Sequence, residues 1–210
     1  MHLVGHYLYA STRPLPLHET LVDPLLFAGS LLRERNGRQK PDQPAAVLRR
    51  IEVFRGHPSS EHDPNGYARS LAQKSQWQRD RRVTVTLRPL KYEYQRDGAG
   101  GFDRDVYGKR ITVGPPREKG VDVLWALAAV RAAQDPAVDL VIVASSDTDL
   151  ASALDEIRRL ASAKVETCCW WDDQTRRGYQ LHPTDRSRPV WNTRLRESDF
   201  RVCTDPTDSR

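Results

Sequence analysis

Runs of apolar residues along the chain change period repeatedly, and that change is the first structural signal. His2–Ala10 and Asp23–Arg35 carry apolar positions at helical spacing, with Leu25, Leu26, Ala28, Leu31 and Leu32 on related faces of the second. Asp23-Pro24 supplies an N-cap followed by proline in the first helical position. "RPLPLHET" separates the two helices, and "RNGRQKPDQPAA" reads as a loop. Leu48–Arg55 predicts a strand stopped by Gly56-His57-Pro58, and "DPNGYARSLAQKSQWQRD" a helix. "RVTVTLRPL" alternates and is rich in β-branched residues, the pattern of a strand. "QRDGAGGF" is a turn within a short excursion that returns at Ile111–Val113.

Beyond Gly114-Pro115-Pro116, Val121, Leu124, Leu127, Ala128 and Arg131 predict a helix that ends at Asp135-Pro136. Val138–Ala144 is apolar but for Asp139, as expected of a parallel strand covered on both faces. A helix over "DLASALDEIRRLAS" and a strand over "KVETCCWW" follow. From Asp172 the chain is polar, with Trp191 and Phe200 as expected anchors. The sequence predicts no internally repeated fold unit. Strands alternating with helices give an α/β class, with a mostly parallel sheet flanked by helices. The expected division is a domain over residues 1–171 and a polar extension, 172–210, packing partly on it.

Composition adds bounds to this picture. With 38% hydrophobic and 29% charged residues, the 210-residue chain suits a globular protein with a polar surface. No apolar run reaches the roughly 20 residues of a bilayer span, and the first residues lack a signal-peptide pattern. The expectation is a cytoplasmic protein without a membrane partner. The net charge of +5 is compatible with a phosphate-bearing partner. Cys168, Cys169 and Cys203 form no C-x-x-C pair, so idle or buried thiols are expected in place of a disulfide framework or zinc site. His2 and His6 have helical i, i+4 spacing but no third ligand nearby.

The candidate chemistry sits at "VIVASSDTDL". A buried strand ends in Ser145, Ser146, Asp147 and Asp149, at the edge where open α/β sheets bind ligands. Ser146 with Asp149 also fits a helix-capping pattern. Two acids and two hydroxyls exceed what one cap requires. Asp122 opens the preceding helix, and helix N-termini lie at the same edge of a parallel sheet. Three carboxylates meeting there would require a divalent cation, and hard oxygen ligands select Mg²⁺ or Mn²⁺. Arg55, Lys91, Lys119, Arg79, Arg81 and Arg82 would form the basic surround of a phosphodiester. A phosphatase or glycosyltransferase use of Asp147-Thr148-Asp149 is a weaker alternative, because D-x-D alone is unspecific.

The order "VFRGHP", "LKY", "EKGVDV", "DLVIVASSDTDL" resembles the NYN-domain proteins of the PIN-like nuclease superfamily over residues 21–171. That resemblance implies a Rossmann-like three-layer fold and a metal-dependent ribonuclease. Asp122 and Asp147 match the family's acids, with Asp149 as a third candidate. Ser145 and Ser146 match the small positions before them, and Arg55, Lys91 and Lys119 are the cations expected to contact RNA. The family's first strand ends in D-x-x-N, which this sequence lacks. Either "LVGHYLY" occupies its place, with Val4 and Tyr7 at the Asp and Asn positions, or the chain starts downstream of it. The helical period of His2–Ala10 favours the second, with the start codon misassigned or the chain truncated. The site is then weakly active or inactive, and a non-catalytic RNA-binding or scaffolding relative is the competing reading.

Overall fold

The computed structural model describes residues 1–9, 20–160 and 162–204, with the side chains of His2 and Leu3 excepted. The expected loop over residues 13–20 therefore falls outside the described residues, apart from its last position. The chain forms two compact units. One comprises Met1–Ile51 and Ala126–Arg210, the other Glu52–Trp125.

The first unit is built on strand β4 (Lys164–Asp172). It pairs in parallel with β3 (Leu140–Val143) on one edge and with β6 (Asn192–Leu195) on the other. A short antiparallel partner, β5 (Arg177–Gly178), meets its end at Trp171 and Asp172. Cys168 and Trp170 alternate along β4 onto one face. There they join Leu31, Leu195, Phe200 and Cys203 in the core. Helices α1 (His2–Tyr9), α2 (Pro24–Gly37) and α6 (Glu197–Cys203) contribute to that cluster, and α5 (Ala151–Leu160) also packs on β4, with Leu154 and Ile157 fully buried. Asp23 caps α2 as its sequence predicts, accepting from the Leu25 and Leu26 amides at 2.8 and 2.9 Å. His2–Tyr9 is helical, so "LVGHYLY" supplies no strand.

The polar tail contributes more backbone than its composition suggests. β6 is a strand of the sheet, and Phe200 is 4% exposed. Trp191, expected as an anchor, is 45% exposed. Its carbonyl holds the tail instead, accepting from the Thr167 amide at 2.9 Å.

A charged pair lies inside this unit. The Glu166 side chain on β4 is 1% exposed, and the Arg35 guanidinium grips both its oxygens at 2.7 and 3.0 Å. Lys164 adds a contact at 2.9 Å from the surface side. Burial alone would raise the Glu166 pKa, but the hydrogen bonds from Arg35 and Lys164 outweigh it and hold the carboxyl below its ordinary value. The three cysteines are buried, and burial raises the pKa of each thiol. They are poor nucleophiles for that reason.

In the second unit, strand β1 (Ile51–His57) pairs with β2 (Val83–Pro89), joined through helix α3 (Pro64–Trp77). The Leu90 amide donates to the His57 carbonyl at 2.9 Å, so both strands end at one edge. Helix α4 (Val121–Gln134) starts in this unit and finishes in the first. The single, mostly parallel sheet expected from the sequence is thus two smaller sheets, one of two strands and one mixed sheet of four. Among the described residues, no strand pairs with the second edge of β3, and no helix is long and apolar enough to cross a membrane.

Residues 91–117 form a three-legged excursion. The Gln95 amide donates to the Ile111 carbonyl (2.9 Å), Ile111 to Asp103 (3.0 Å), and Asp103 back to Gln95 (3.0 Å), closing a ring of three hydrogen bonds. Two loops leave this ring. In one, the Asp97 carboxylate accepts from the Ala99 and Gly101 amides; in the other, Asp105 accepts from Tyr107 and Lys109. Gly100 and Gly108 take φ of 86° and 79° at the same place in each loop, a conformation glycine adopts without a Cβ clash. Arg96-Asp97-x-x-Gly100 and Arg104-Asp105-x-x-Gly108 are thus an eight-residue repeat that the sequence reading missed.

Replacing Glu166 with Ala strands the Arg35 charge in the core and costs about 3–5 kcal/mol; Lys164→Ala, at a side chain 62% exposed, costs under about 1 kcal/mol. Urea denaturation of both variants checks the contrast. Because the native pKa of Glu166 is lowered, its contribution is complete above the ordinary value of 4.5 and disappears as pH falls through the native one. The wild-type stability should fall more steeply than that of Glu166→Gln across that acidic window.

Candidate functional site

β3 delivers its carboxyl end to the loop 145–149. Val143 is buried, and Ala144 packs on the core cluster. Ser145 and Ser146 are half-buried, while Asp147, Thr148 and Asp149 are exposed. Ser145 Oγ accepts from the Asp147 amide at 3.2 Å. Asp147 Oδ1 in turn accepts from the Asp149 amide at 3.0 Å and caps a 3-10 turn, Thr148–Leu150, which leads into α5. Leu150, 5% exposed, pins the turn to the core.

The cap predicted as the structural alternative therefore exists, but its acceptor is Asp147. One oxygen of Asp147 is committed to backbone. Its second oxygen and the Asp149 carboxylate have no hydrogen-bond or ion-pair partner among the described residues. Asp149 lies in the first turn, where the unpaired N–H groups favour negative charge. These are hard oxygen donors on an exposed loop, chemistry suited to Mg²⁺ or Mn²⁺. Asp122, exposed in the first turn of α4, is likewise without a partner among the described residues. Among those residues, no three His, Cys, Asp or Glu side chains form a group that could hold a metal ion.

The second unit holds a cationic hollow. Its volume is about 450 Å³, and Arg88, Pro89, Leu90, Lys91 and Lys119 line it. The walls are fixed by backbone contacts. The Gly56 amide donates to Glu118 Oε1 at 2.6 Å, and Arg88 Nε donates to the Lys119 carbonyl at 2.7 Å. Gly120, with φ of 76°, turns the chain into α4 against the Arg88 guanidinium. "EKG" is thus the turn that closes β1 and β2 over the start of α4. Three positive side chains around one concavity attract an anion, and guanidinium and ammonium groups both suit phosphate oxygens.

Lys91 and Lys119, expected from the sequence, come together here. Arg88 was missed, although its place one residue before the proline that ends β2 brackets the same turn as Lys91. Arg55 lies elsewhere: it donates to Gln73 Oε1 at 2.9 Å and stacks 5.3 Å over Trp77, so its guanidinium is committed to α3. Arg82 is engaged with Asp80 through two contacts of 3.0 and 2.7 Å, and the same guanidinium holds the Asp80 pKa down to about 2.

No family model, curated protein or solved structure matches this chain.

The capping geometry separates two roles of Asp147. Asp147→Asn keeps an oxygen that can accept from the Asp149 amide, so its melting temperature stays near wild type. Asp147→Ala removes the cap and lowers the melting temperature by roughly 2–4 °C in a thermal melt followed by circular dichroism.

Proposed function

We propose that this protein hydrolyses RNA phosphodiester bonds with Mg²⁺ or Mn²⁺, with Asp147 and Asp149 of the loop after β3 as carboxylate ligands and Asp122 assigned to the reaction by its match to the family's motif alone. The observation that carries the reading is the loop 145–149. It ends a parallel strand and presents carboxylate oxygens that no described residue satisfies. The resemblance of "EKGVDV" and "SSDTDL" to the NYN-domain pattern supports it. A bound dication would orient water and offset charge on the phosphate.

The chain's own residues have separable tasks in this scheme. Ser145 holds the Asp147 amide and sets the turn. Asp147, with one oxygen on the Asp149 amide, would offer the other to the ion. Arg88, Lys91 and Lys119 bind a phosphate in the hollow, and Ser146 makes a polar contact to the substrate. Arg55 has a supporting task, fixing α3 to β1.

A second reading is a non-catalytic RNA-binding relative. It is favoured by the lack of a D-x-x-N motif in the sequence and of a three-ligand group among the described residues. A metal titration with end-labelled RNA decides between them. On the catalytic reading, cleavage requires Mg²⁺ or Mn²⁺, stops with chelator, and falls to background in Asp147→Asn and Asp122→Asn, both still folded. RNA retention without cleavage at any metal concentration supports the second reading. Full cleavage by Asp147→Asn would overturn the assignment of the site.

A further inference from the structure

The three-legged excursion carries a surface that the proposed site does not use. Of the described large apolar side chains, Val106 and Tyr107 are the most exposed, at 92% and 91%. They stand at the tip of the second loop. The turn behind them is closed by three hydrogen bonds: Asp105 to Lys109, Gly108 to Asp105, and the Arg104 guanidinium to the Gly108 carbonyl. Asp105 directs a carboxylate oxygen back onto the Tyr107 and Lys109 amides at 2.9 Å each. The tyrosine ring is therefore presented on a fixed backbone, which reduces the ordering cost of a partner stacking on it.

The surroundings of the ring are cationic. Arg104 and Lys109 flank it in sequence, and the Arg110 guanidinium lies 4.2 Å over Tyr94 and 5.7 Å from Phe102. Arg96 stacks 5.1 Å from Phe102. Asp97 and Asp105 are tied into their turns and Glu93 to Arg117 at 2.8 Å, which leaves Asp103 as the one carboxylate of the excursion without a partner among the described residues. An exposed ring on a loop that carries Arg104, Lys109 and Arg110 complements a polyanion whose bases are free to stack. Duplexes hide those faces.

We propose that the loop 104–110 is a docking site for single-stranded RNA, with the Tyr107 ring stacking on a base and Arg104, Lys109 and Arg110 meeting phosphates. This rests on the reading of RNA as the substrate. Lys91, which lines the cationic hollow, also opens the stem of this excursion by pairing with Arg117, so both surfaces belong to the second unit.

The test is fluorescence anisotropy with a fluorescein-labelled 12-nucleotide oligouridylate, in chelator and at several salt concentrations. Tyr107→Ala should weaken binding about 5- to 150-fold, the range for one stacked base, while Tyr107→Phe binds like wild type. Arg104→Gln with Lys109→Gln should reduce the slope of log K against log salt by about 1–2. Thermal melts verify that each variant is folded. Wild-type binding by Tyr107→Ala, no binding by the unaltered protein, or equal binding of a duplex would each overturn the proposal. So would self-association that depends on Tyr107 in sedimentation, since the partner would then be a second copy. Chelator keeps the two ideas apart. Tyr107-dependent binding without metal-dependent cleavage sinks only the hydrolytic reading; Asp147-dependent cleavage with Tyr107-independent binding sinks only this one.

Discussion

A carboxylate inside a sheet has to be matched, and Glu166 is matched by Arg35. That pairing fixes how α2 lies on β4, because a guanidinium fork meets two oxygens in one orientation only. With α2 so placed, Leu31 and Phe27 fall onto Trp170, whose ring meets Phe27 edge-on at 5.5 Å. The same strand sets the register of β3, with Val143 opposite Thr167. The acidic loop begins two residues later. Its position is inherited from a strand that is itself held by a buried ion pair.

Charge written in the sequence is not charge available to a ligand. Arg55 and Arg82 count equally with Lys91 and Lys119 in composition. In the fold, the first is occupied with Gln73 and Trp77 and the second with Asp80. Asp147 is divided, one oxygen to its own backbone and one outward. What remains exposed and unpartnered at the places described is a smaller set: Asp122, Asp149 and one oxygen of Asp147 among the acids, Lys91 and Lys119 among the cations.

Local signals were legible where they depend on near neighbours. The Asp23-Pro24 cap, the helical period of His2–Tyr9 and the alternation of Val83–Pro89 all appear in the structure as read. Pairing was less legible. The apolar run before Ser145 indicates a buried strand, but not that one of its edges lacks a partner among the described residues. Trp191 looked like an anchor because it is large, yet a single main-chain carbonyl performs that task. The eight-residue repeat escaped notice because only Arg, Asp and Gly recur in it. Those three are the residues its geometry constrains: a turn acceptor, a left-handed position, and a side chain on the adjoining leg. Lys91 and Lys119, read from the sequence as cations around a phosphate, line one hollow in the structure. Arg88 was not so read, because its role comes from a turn about thirty positions away along the chain, Lys119 to Gly120.

The ring through Gln95, Asp103 and Ile111 has a mechanical consequence. A ladder of hydrogen bonds frays from its last rung, one step at a time. A closed triangle has no last rung: each residue gives to one neighbour and takes from the other, so losing one side still leaves the three legs joined by the other two. Both outer loops therefore spring from a junction that tolerates the loss of a single bond, and the second loop, although bathed in solvent, keeps the steadiness of the knot beneath it.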